Sequence, residues 1–317
     1  MNFIPKYTII IPTRNSLVYL KDSIESVLSQ DFSDYELIVS DNHSDDGTYE
    51  YVSSVIHPNL KLIKPEKGLA MVDHWEWALS HAQGKWIVFL GADDGVMSYF
   101  FKLSEFLTHE AEKKNIKVIN SVRAYFFWDG CQTVYGNKSI IYSAHAKYVV
   151  KHSKFEILNA TIGTGAYIHL PQMYTTSIIH SSVVLNVKMR NNGNFYASLN
   201  PDANGAANIC SVENKYLESL IPLAWVGSSP KSNGLIFSTN KDKYMKEYSL
   251  NLNSNVIRWN PLAGYFNNGV NDRNIHNFKM YLFESLLQTR HLQKPFWARV
   301  YNSKPFKTML FATVYAQ

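Results

Sequence analysis

YTIIIPTRNSLVYLKDSIESVLSQDFSDYELIVS (7–40) decides the architecture. Tyr7 to Ile11 is a continuous, largely β-branched run of the kind a strand buried on both faces needs. Leu17, Leu20, Ile24, Val27 and Leu28 then recur at helical spacing, with Ser16 as the candidate N-cap. Tyr35 to Ser40 is a second apolar run. Strand, helix and strand in so short a span predict a β-α-β unit with two parallel strands.

The alternation continues outward. Asp46-Gly47-Thr48 opens a short helix, and Leu60 to Lys64 is a third strand. Leu69, Val72, Trp75, Leu79 and Ala82 trace a second amphipathic helix, which Gly84 ends. Trp75 falls on its apolar stripe and is expected in the core. Trp86 to Leu90 is a fourth strand. The expected fold class is α/β: a Rossmann-like, mostly parallel sheet flanked by helices. In such sheets ligands bind at the carboxyl ends of the strands. Three polar loops fall there, namely Thr13-Arg14-Asn15, Asp41 to Asp46, and Gly91-Ala92-Asp93-Asp94.

The middle of the chain is less regular. Val118 to Trp128 and Thr133 to Tyr142 are expected to pair as a hairpin across Asp129-Gly130, and residues 160–180 have no clear path. Ser181 to Met189 and Pro201 to Cys210 read as helices, Tyr216 to Val226 as a strand, and Gly227 to Gly234 as a loop. Beyond Asn240 the pattern weakens. The expected organisation is one catalytic domain over 1–240, with halves near 1–97 and 98–240. A helical or irregular C-terminal extension then covers 241–317.

Composition bounds the function. With 317 residues, 46% hydrophobic and 18% charged, the chain can bury a large core and is not of disordered type. Net charge is 31 − 26 = +5, which suits an anionic partner. No block of five Lys or Arg occurs, so nucleic acid is not the expected partner. Cys131 and Cys210 show neither metal spacing nor a disulfide framework, which fits a reducing compartment. The N-terminal apolar run is too short for a signal segment and is cut by Pro12. No 18-residue apolar stretch exists. The expected location is cytoplasmic.

The loops suggest chemistry. Asp93-Asp94 ends an apolar strand in two carboxylates, which must meet water, a cation or a partner. They can be a solvated turn or a helix cap. They can equally hold Mg²⁺ or Mn²⁺ against a diphosphate, the ion acting as a Lewis acid toward the leaving group. Asp41, at a strand end, can accept from a base N–H or can form an Asx-turn. Asp45 and Asp46 are better read as turn and cap. Lys231 in the loop KSNG (231–234) can reach a phosphate or lie in solvent, and Arg14 and Lys67 are further candidates on the same edge. His74, His169 and His180 are each expected to be structural. KPFWARVYNSKPFKTMLFATVYAQ (294–317) sets basic residues beside bulky aromatics, a pattern of interfacial membrane contact as well as of ordinary helix packing.

Three segments carry a resemblance: YTIIIPTRN (7–15), ELIVSDNHSDDGT (36–48) and AQGKWIVFLGADD (82–94). In order and spacing they resemble family 2 glycosyltransferases of the GT-A fold. RNNGNFYASLNPDANGAA (190–207) and PLAWVGSSPKSNG (222–234) are similar to a bacterial subgroup that builds surface polysaccharides. The resemblance implies a nucleotide-sugar donor, UDP by default, and a saccharide acceptor that is lipid-linked. It further implies peripheral placement on the inner face of the cytoplasmic membrane. It sets Pro12 and Thr13 against the nucleoside and Asp41 against the base; Arg14, Asn15, Lys67, Ala92 and Lys231 are the further candidates for the nucleotide-sugar site. Asp93 and Asp94 would hold the metal, Mn²⁺ or Mg²⁺. Asp202 would be the catalytic base of an inverting reaction, with Glu213 and Asp129 as substitutes. Many relatives read Asp-x-Asp-Asp where this chain has Gly91 first, so one carboxylate is missing. That departure keeps open a catalytically degenerate glycan- or nucleotide-binding relative. A nucleotidyltransferase is disfavoured, because PTRNS lacks the glycines of a triphosphate loop.

Overall fold

The computed structural model describes residues 4–131, 140–141, 147–163, 167–198, 200–232 and 278–315. The N-terminal alternation is as the sequence predicts: β1 (Tyr7–Thr13), α1 (Leu17–Leu28), β2 (Tyr35–Asp41), α2 (Thr48–Ser54), β3 (Leu60–Ile63), α3 (Met71–Leu79) and β4 (Trp86–Phe89). All four strands run parallel. Alternate residues of each strand feed opposite faces, as the period of two demands. Ile9, Ile11, Leu37 and Val39 pack with Leu20, Ile24 and Val27 of α1. Ile10, Ile38 and Phe89 pack with Val72, Ala78 and Leu79 of α3. A sheet buried on both faces explains the unbroken apolar runs.

The second half adds β5 (Gly95–Val96), α4 (Phe100–Lys113), β6 (Val118–Ser121), β7 (Ala124–Phe127), β8 (Ile140–Ile141) and β9 (Tyr148–His152). Then come α5 (Ser153–Ile162), β10 (Ser177–His180), α6 (Ser181–Arg190), α7 (Pro201–Val212), β11 (Lys215–Ser219) and β12 (Ala224–Ser228). The main sheet has the order β3-β2-β1-β4-β10-β6-β11-β9, and a smaller one the order β5-β12-β7-β8. Strand β10 lies antiparallel between β4 and β6, so the segment that leads into it starts at the carboxyl edge of both.

Two expectations change. Val118 to Trp128 is not one hairpin arm: β6 stays in the main sheet and β7 passes to the smaller one, where it pairs antiparallel with β8. The other arm falls largely outside the described residues. Tyr216 to Val226 likewise splits into β11 and β12 in different sheets. Pro222, which has no N–H to offer a ladder, stands in the break. Ser16 makes no capping bond from its side chain. Asp46 accepts from Leu17 N at 3.1 Å instead, and from Thr48 N at 3.1 Å, so one carboxylate serves the starts of α1 and α2.

The boundary expected near 240 lies outside the described residues. Helices α8 (Phe278–Gln288), α9 (Pro295–Asn302) and α10 (Lys304–Tyr315) share a core with the preceding half. Leu282, Phe283, Leu286, Tyr301, Phe306 and Leu310 pack with Ile157 of α5 and Ala203, Ala206 and Cys210 of α7. The C-terminal helices thereby brace α7, which carries Asp202 in its first turn. Both cysteines are free and buried. Among the described residues no helix is long and apolar enough to cross a membrane.

Candidate active site

At the carboxyl edge β1 runs on past the end of its pairing with β4. The carbonyls of Lys6 and Ile10 accept from Trp86 N and Leu90 N, so even-numbered residues of β1 face β4. Pro12 therefore faces β4 too, at a level where that chain has already turned away, and its missing N–H costs no ladder bond. Toward β2 the ladder runs on to the pair Thr13 and Asp41.

Asp41 is fully buried at this rim. Its two oxygens each accept from Ser44 N at 3.3 Å, and Lys64 Nζ lies 3.8 Å from Oδ2. The Asx-turn and a flanking cation are both present. Beside it, Thr13 Oγ1 is buried without a hydrogen-bond partner. Asn42 fastens the loop after β3 through Leu69, donating to its carbonyl at 2.8 Å and accepting from its N–H at 2.9 Å. Arg14 and Lys67 are exposed on the neighbouring loops. His74 is structural: it is buried and bonded to Ser40 Oγ at 2.7 Å, and burial first, then the Arg14 charge, push it down to about 4.

The turn after β4 separates its two carboxylates. Asp94 is buried and points inward. Its Oδ2 accepts from Gly91 N at 3.0 Å and from Thr175 Oγ1, and its Oδ1 accepts from Gly227 N at 2.7 Å. Burial and the Asp93 charge push Asp94 up to about 7, against the bonds from Thr175, Gly227 and Tyr174. With both oxygens so occupied, this geometry gives Asp94 the work of tying β4, the segment before β10 and β12 together. Asp93 is partly exposed. Its carbonyl accepts from Trp128 Nε1 at 2.8 Å, and its Oδ2 accepts from Ser229 Oγ at 2.7 Å and Ser232 Oγ at 2.6 Å. Oδ1 receives no hydrogen bond from the described residues. A Cβ on Gly227 would stand 1.7 Å from the Asp93 carbonyl oxygen, so the turn seats only against glycine.

Among the described residues no group of three or more acidic, histidine or cysteine side chains could cage a metal. One outward carboxylate oxygen fits an ion shared with substrate phosphates, the habit of Mg²⁺. Ala92, between Gly91 and Asp93, is partly buried against the core.

The opposite wall is built from α7 and the residues before β10. Asp202 sits at the helix start, where Pro201 needs no N–H partner. Burial raises its carboxyl above the ordinary range, and the Arg123 guanidinium acts the other way. Arg123, just past β6, donates to the Ile168 carbonyl at 2.8 Å and to Gln172 Oε1 at 3.2 Å. Gly205 lets α7 approach this segment, since a Cβ there would meet the Gln172 carbonyl at 2.6 Å. Burial first, then the charges of Asp94, Asp93 and Asp202, hold the Tyr174 hydroxyl well above its ordinary range. Trp75 stacks between Phe89 and Tyr174 and is only partly buried. Met173 (φ 55°) and Thr175 (φ 44°) are left-handed, which for β-branched Thr costs on the order of 1–3 kcal/mol. Glu213 is at the far end of α7, roughly 16 Å from Asp202 at the helical rise.

The turn after β12 reaches both Asp93 and Asn15. Ser229 and Ser232 hold Asp93, and Lys231 Nζ rests on the Asn15 carbonyl. Thr13, Asn15, Asp41, Asp93 and Lys231 thus fall along one edge, while Asp202 lies on the first turn of α7. Tyr174 and Thr175 were not legible as site residues, because the stretch QMYTT (172–176) has no period and no motif, and Arg123 lies between two apolar runs that carry no site signal.

Residues 8–126 match the family described as Glycosyl transferase family 2. A putative teichuronic acid biosynthesis glycosyltransferase, TuaG, of Bacillus subtilis is 33% identical over 99 residues, which is 29% of this chain and 38% of that protein. The Campylobacter jejuni GalNAc(5)-diNAcBac-PP-undecaprenol beta-1,3-glucosyltransferase is 32% identical over 97 residues, 30% of this chain and 31% of the relative. These matches span about a third of each relative's length. The structure of Staphylococcus aureus TarS 1–349 in complex with UDP-GlcNAc superposes with a TM-score of 0.56 at 16% identity, covering 98% of this chain and 92% of that one. The fold is therefore GT-A.

Proposed function

We propose that this chain, with a family 2 glycosyl transferase match over residues 8–126, moves a sugar from a nucleotide diphosphate donor to a saccharide hydroxyl. The observation that carries the reading is Asp93, a partly exposed carboxylate just past β4 with one oxygen held by Ser229 and Ser232 and the other unclaimed among the described residues; Asp202, whose carboxyl burial raises, is the proposed base. The donor is a UDP-sugar and the acceptor a lipid-linked saccharide of a surface polysaccharide. Supporting this are the UDP-GlcNAc bound by TarS and the undecaprenol-linked substrate named for the Campylobacter enzyme.

In the proposed reaction Asp41, with the buried Thr13 hydroxyl beside it, receives the base, and Pro12 and Asn15 line the nucleoside. Lys231, with Arg14 and Lys67 near the mouth, meets the diphosphate. A divalent ion, Mn²⁺ or Mg²⁺, held through Asp93 Oδ1 would neutralise charge on the departing diphosphate. Asp202 takes the proton of the acceptor hydroxyl as its oxygen bonds to the anomeric carbon. The bond from that carbon to the diphosphate oxygen breaks on the opposite face, so a single displacement inverts the centre. Lys294, Phe296, Arg299 and Lys304 are exposed on α9 and at the start of α10, and form the proposed contact with an anionic membrane face.

The test is thermal stabilisation of the purified protein by UDP, GDP, dTDP and CMP, with and without Mn²⁺. A metal-dependent shift with one diphosphate is the expected result. No shift with any nucleotide overturns the donor site.

A further inference from the structure

The glycine that opens GADD has a partner elsewhere in the chain. A Cβ on Gly91 would lie 2.5 Å from the Tyr174 hydroxyl oxygen, 2.5 Å from Asp94 Oδ2 and 2.9 Å from Asp94 Cγ. The room that a side chain at 91 would need is already filled. One occupant is a carboxylate turned inward onto Gly91 N; the other is the Tyr174 phenol oxygen, set beside that carboxylate and acting to lower its pKa.

Tyr174 is not there by slack in a loop. Thr175 N donates to the Phe89 carbonyl at 2.6 Å, and Phe89 N donates to the Met173 carbonyl at 3.3 Å, so the segment is tied to the end of β4 on both sides of the tyrosine. The ring lies 5.4 Å from that of Trp75, nearly parallel at 25°. Left-handed Met173 and Thr175 flank it, a backbone held against its preference. Thr175 also delivers its hydroxyl to Asp94. The Thr175 hydroxyl reaches the inward carboxylate directly, and the other features fix the tyrosine in place.

We infer that Tyr174 is a positioning residue of the donor site. It takes the place of the missing first carboxylate of the motif and, with Thr175, keeps Asp94 turned inward, so that Asp93 presents its oxygen to the metal–diphosphate. The inference rests on the donor-site reading above.

Calorimetric titration of the full chain with UDP, GDP and dTDP, each with Mn²⁺ and with EDTA, tests both and separates them. If none binds, the donor-site reading falls and this inference with it. If a nucleotide binds equally in Mn²⁺ and EDTA, the inference is overturned and the nucleotide site stands. Where Mn²⁺ strengthens binding, Tyr174→Phe keeps the ring and removes the oxygen. It is expected to weaken the Mn²⁺-dependent binding on the order of tenfold, the scale of one hydrogen bond to a charged group, and to leave binding in EDTA unchanged. A merely structural tyrosine would lower the melting temperature without that metal-specific loss, and an unchanged Mn²⁺ affinity overturns the proposal. Gly91→Ala pushes a methyl into the same space and is expected to give the same loss, which keeps the test decisive should Tyr174→Phe fold poorly. In the double variant the methyl meets one oxygen fewer, so the two effects are expected to be less than additive. Strict additivity refutes the shared space.

Discussion

Restoring the missing carboxylate by Gly91→Asp should harm this protein, although the change brings the motif closer to its relatives. The new Cβ enters a space in which two oxygens stand 2.5 Å away. Overpacking of that kind costs about 1–3 kcal/mol. The added charge then joins Asp93 and Asp94. Two like charges at about 4 Å repel by roughly 4 kcal/mol at an effective dielectric constant near 20. Rotation of the new side chain toward water relieves part of this, so about 3–5 kcal/mol of lost stability is expected. At roughly 2–4 °C per kcal/mol for a domain of this size, the melting temperature should fall by about 10 °C. Scanning fluorimetry measures the fall, and titration with Mn²⁺ and nucleotide measures the site. Gly91→Ala isolates the steric part and should lose about 1–3 kcal/mol. A Gly91→Asp protein that melts with wild type and binds Mn²⁺ more tightly refutes the reasoning.

Three further outcomes are expected. Asp93→Asn keeps an oxygen for Ser229 and Ser232 but removes the charge, so Mn²⁺-dependent nucleotide affinity should drop by about tenfold or more with little change in melting temperature; unchanged affinity in titration rejects Asp93 as the ligand. Asp202→Asn should lower kcat by about 10²–10⁴ with donor binding intact, read from product formation at saturating donor; wild-type turnover removes Asp202 from the chemistry. His74 lies near 4 in the folded protein against an ordinary 6.5, so the unfolded chain takes up the proton first. Its contribution is whole above pH 6.5 and is lost as pH falls through about 4, a loss of about 3 kcal/mol that His74→Gln should abolish in urea titrations at pH 7 and 4. Parallel pH profiles for the two proteins would sink that account.

The sheet and the carboxyl-edge loops were readable because β1, β2 and β4 are largely buried apolar runs and the first four strands are separated by helices. Pro12, Thr13, Asp41 and Asp93 inherit their places from that pattern. What was not readable depends on partners distant in sequence. Asp93 and Asp94 are neighbours of one type, yet Ser229 and Ser232 draw one outward while Thr175 and the Gly227 N–H fix the other inward. Strand β10 escaped notice because four residues, Ser177–His180, are too few to show a period. The continuous apolar stretches at 118–128 and 216–226 conceal a change of sheet, since alternation within a run says nothing about which neighbour the run joins.

The Ser229–Ser232 turn has a kinetic consequence. Lys231 is at rest on a neutral backbone carbonyl and Ser229 and Ser232 on a carboxylate, so the donors of this turn are satisfied within the protein. Under the proposed function, an entering diphosphate would exchange contacts rather than create them, and the same internal partners would reclaim the turn once the sugar had left. Such an arrangement would trade grip for turnover, because release of spent nucleotide would not wait on water to solvate a bare lysine.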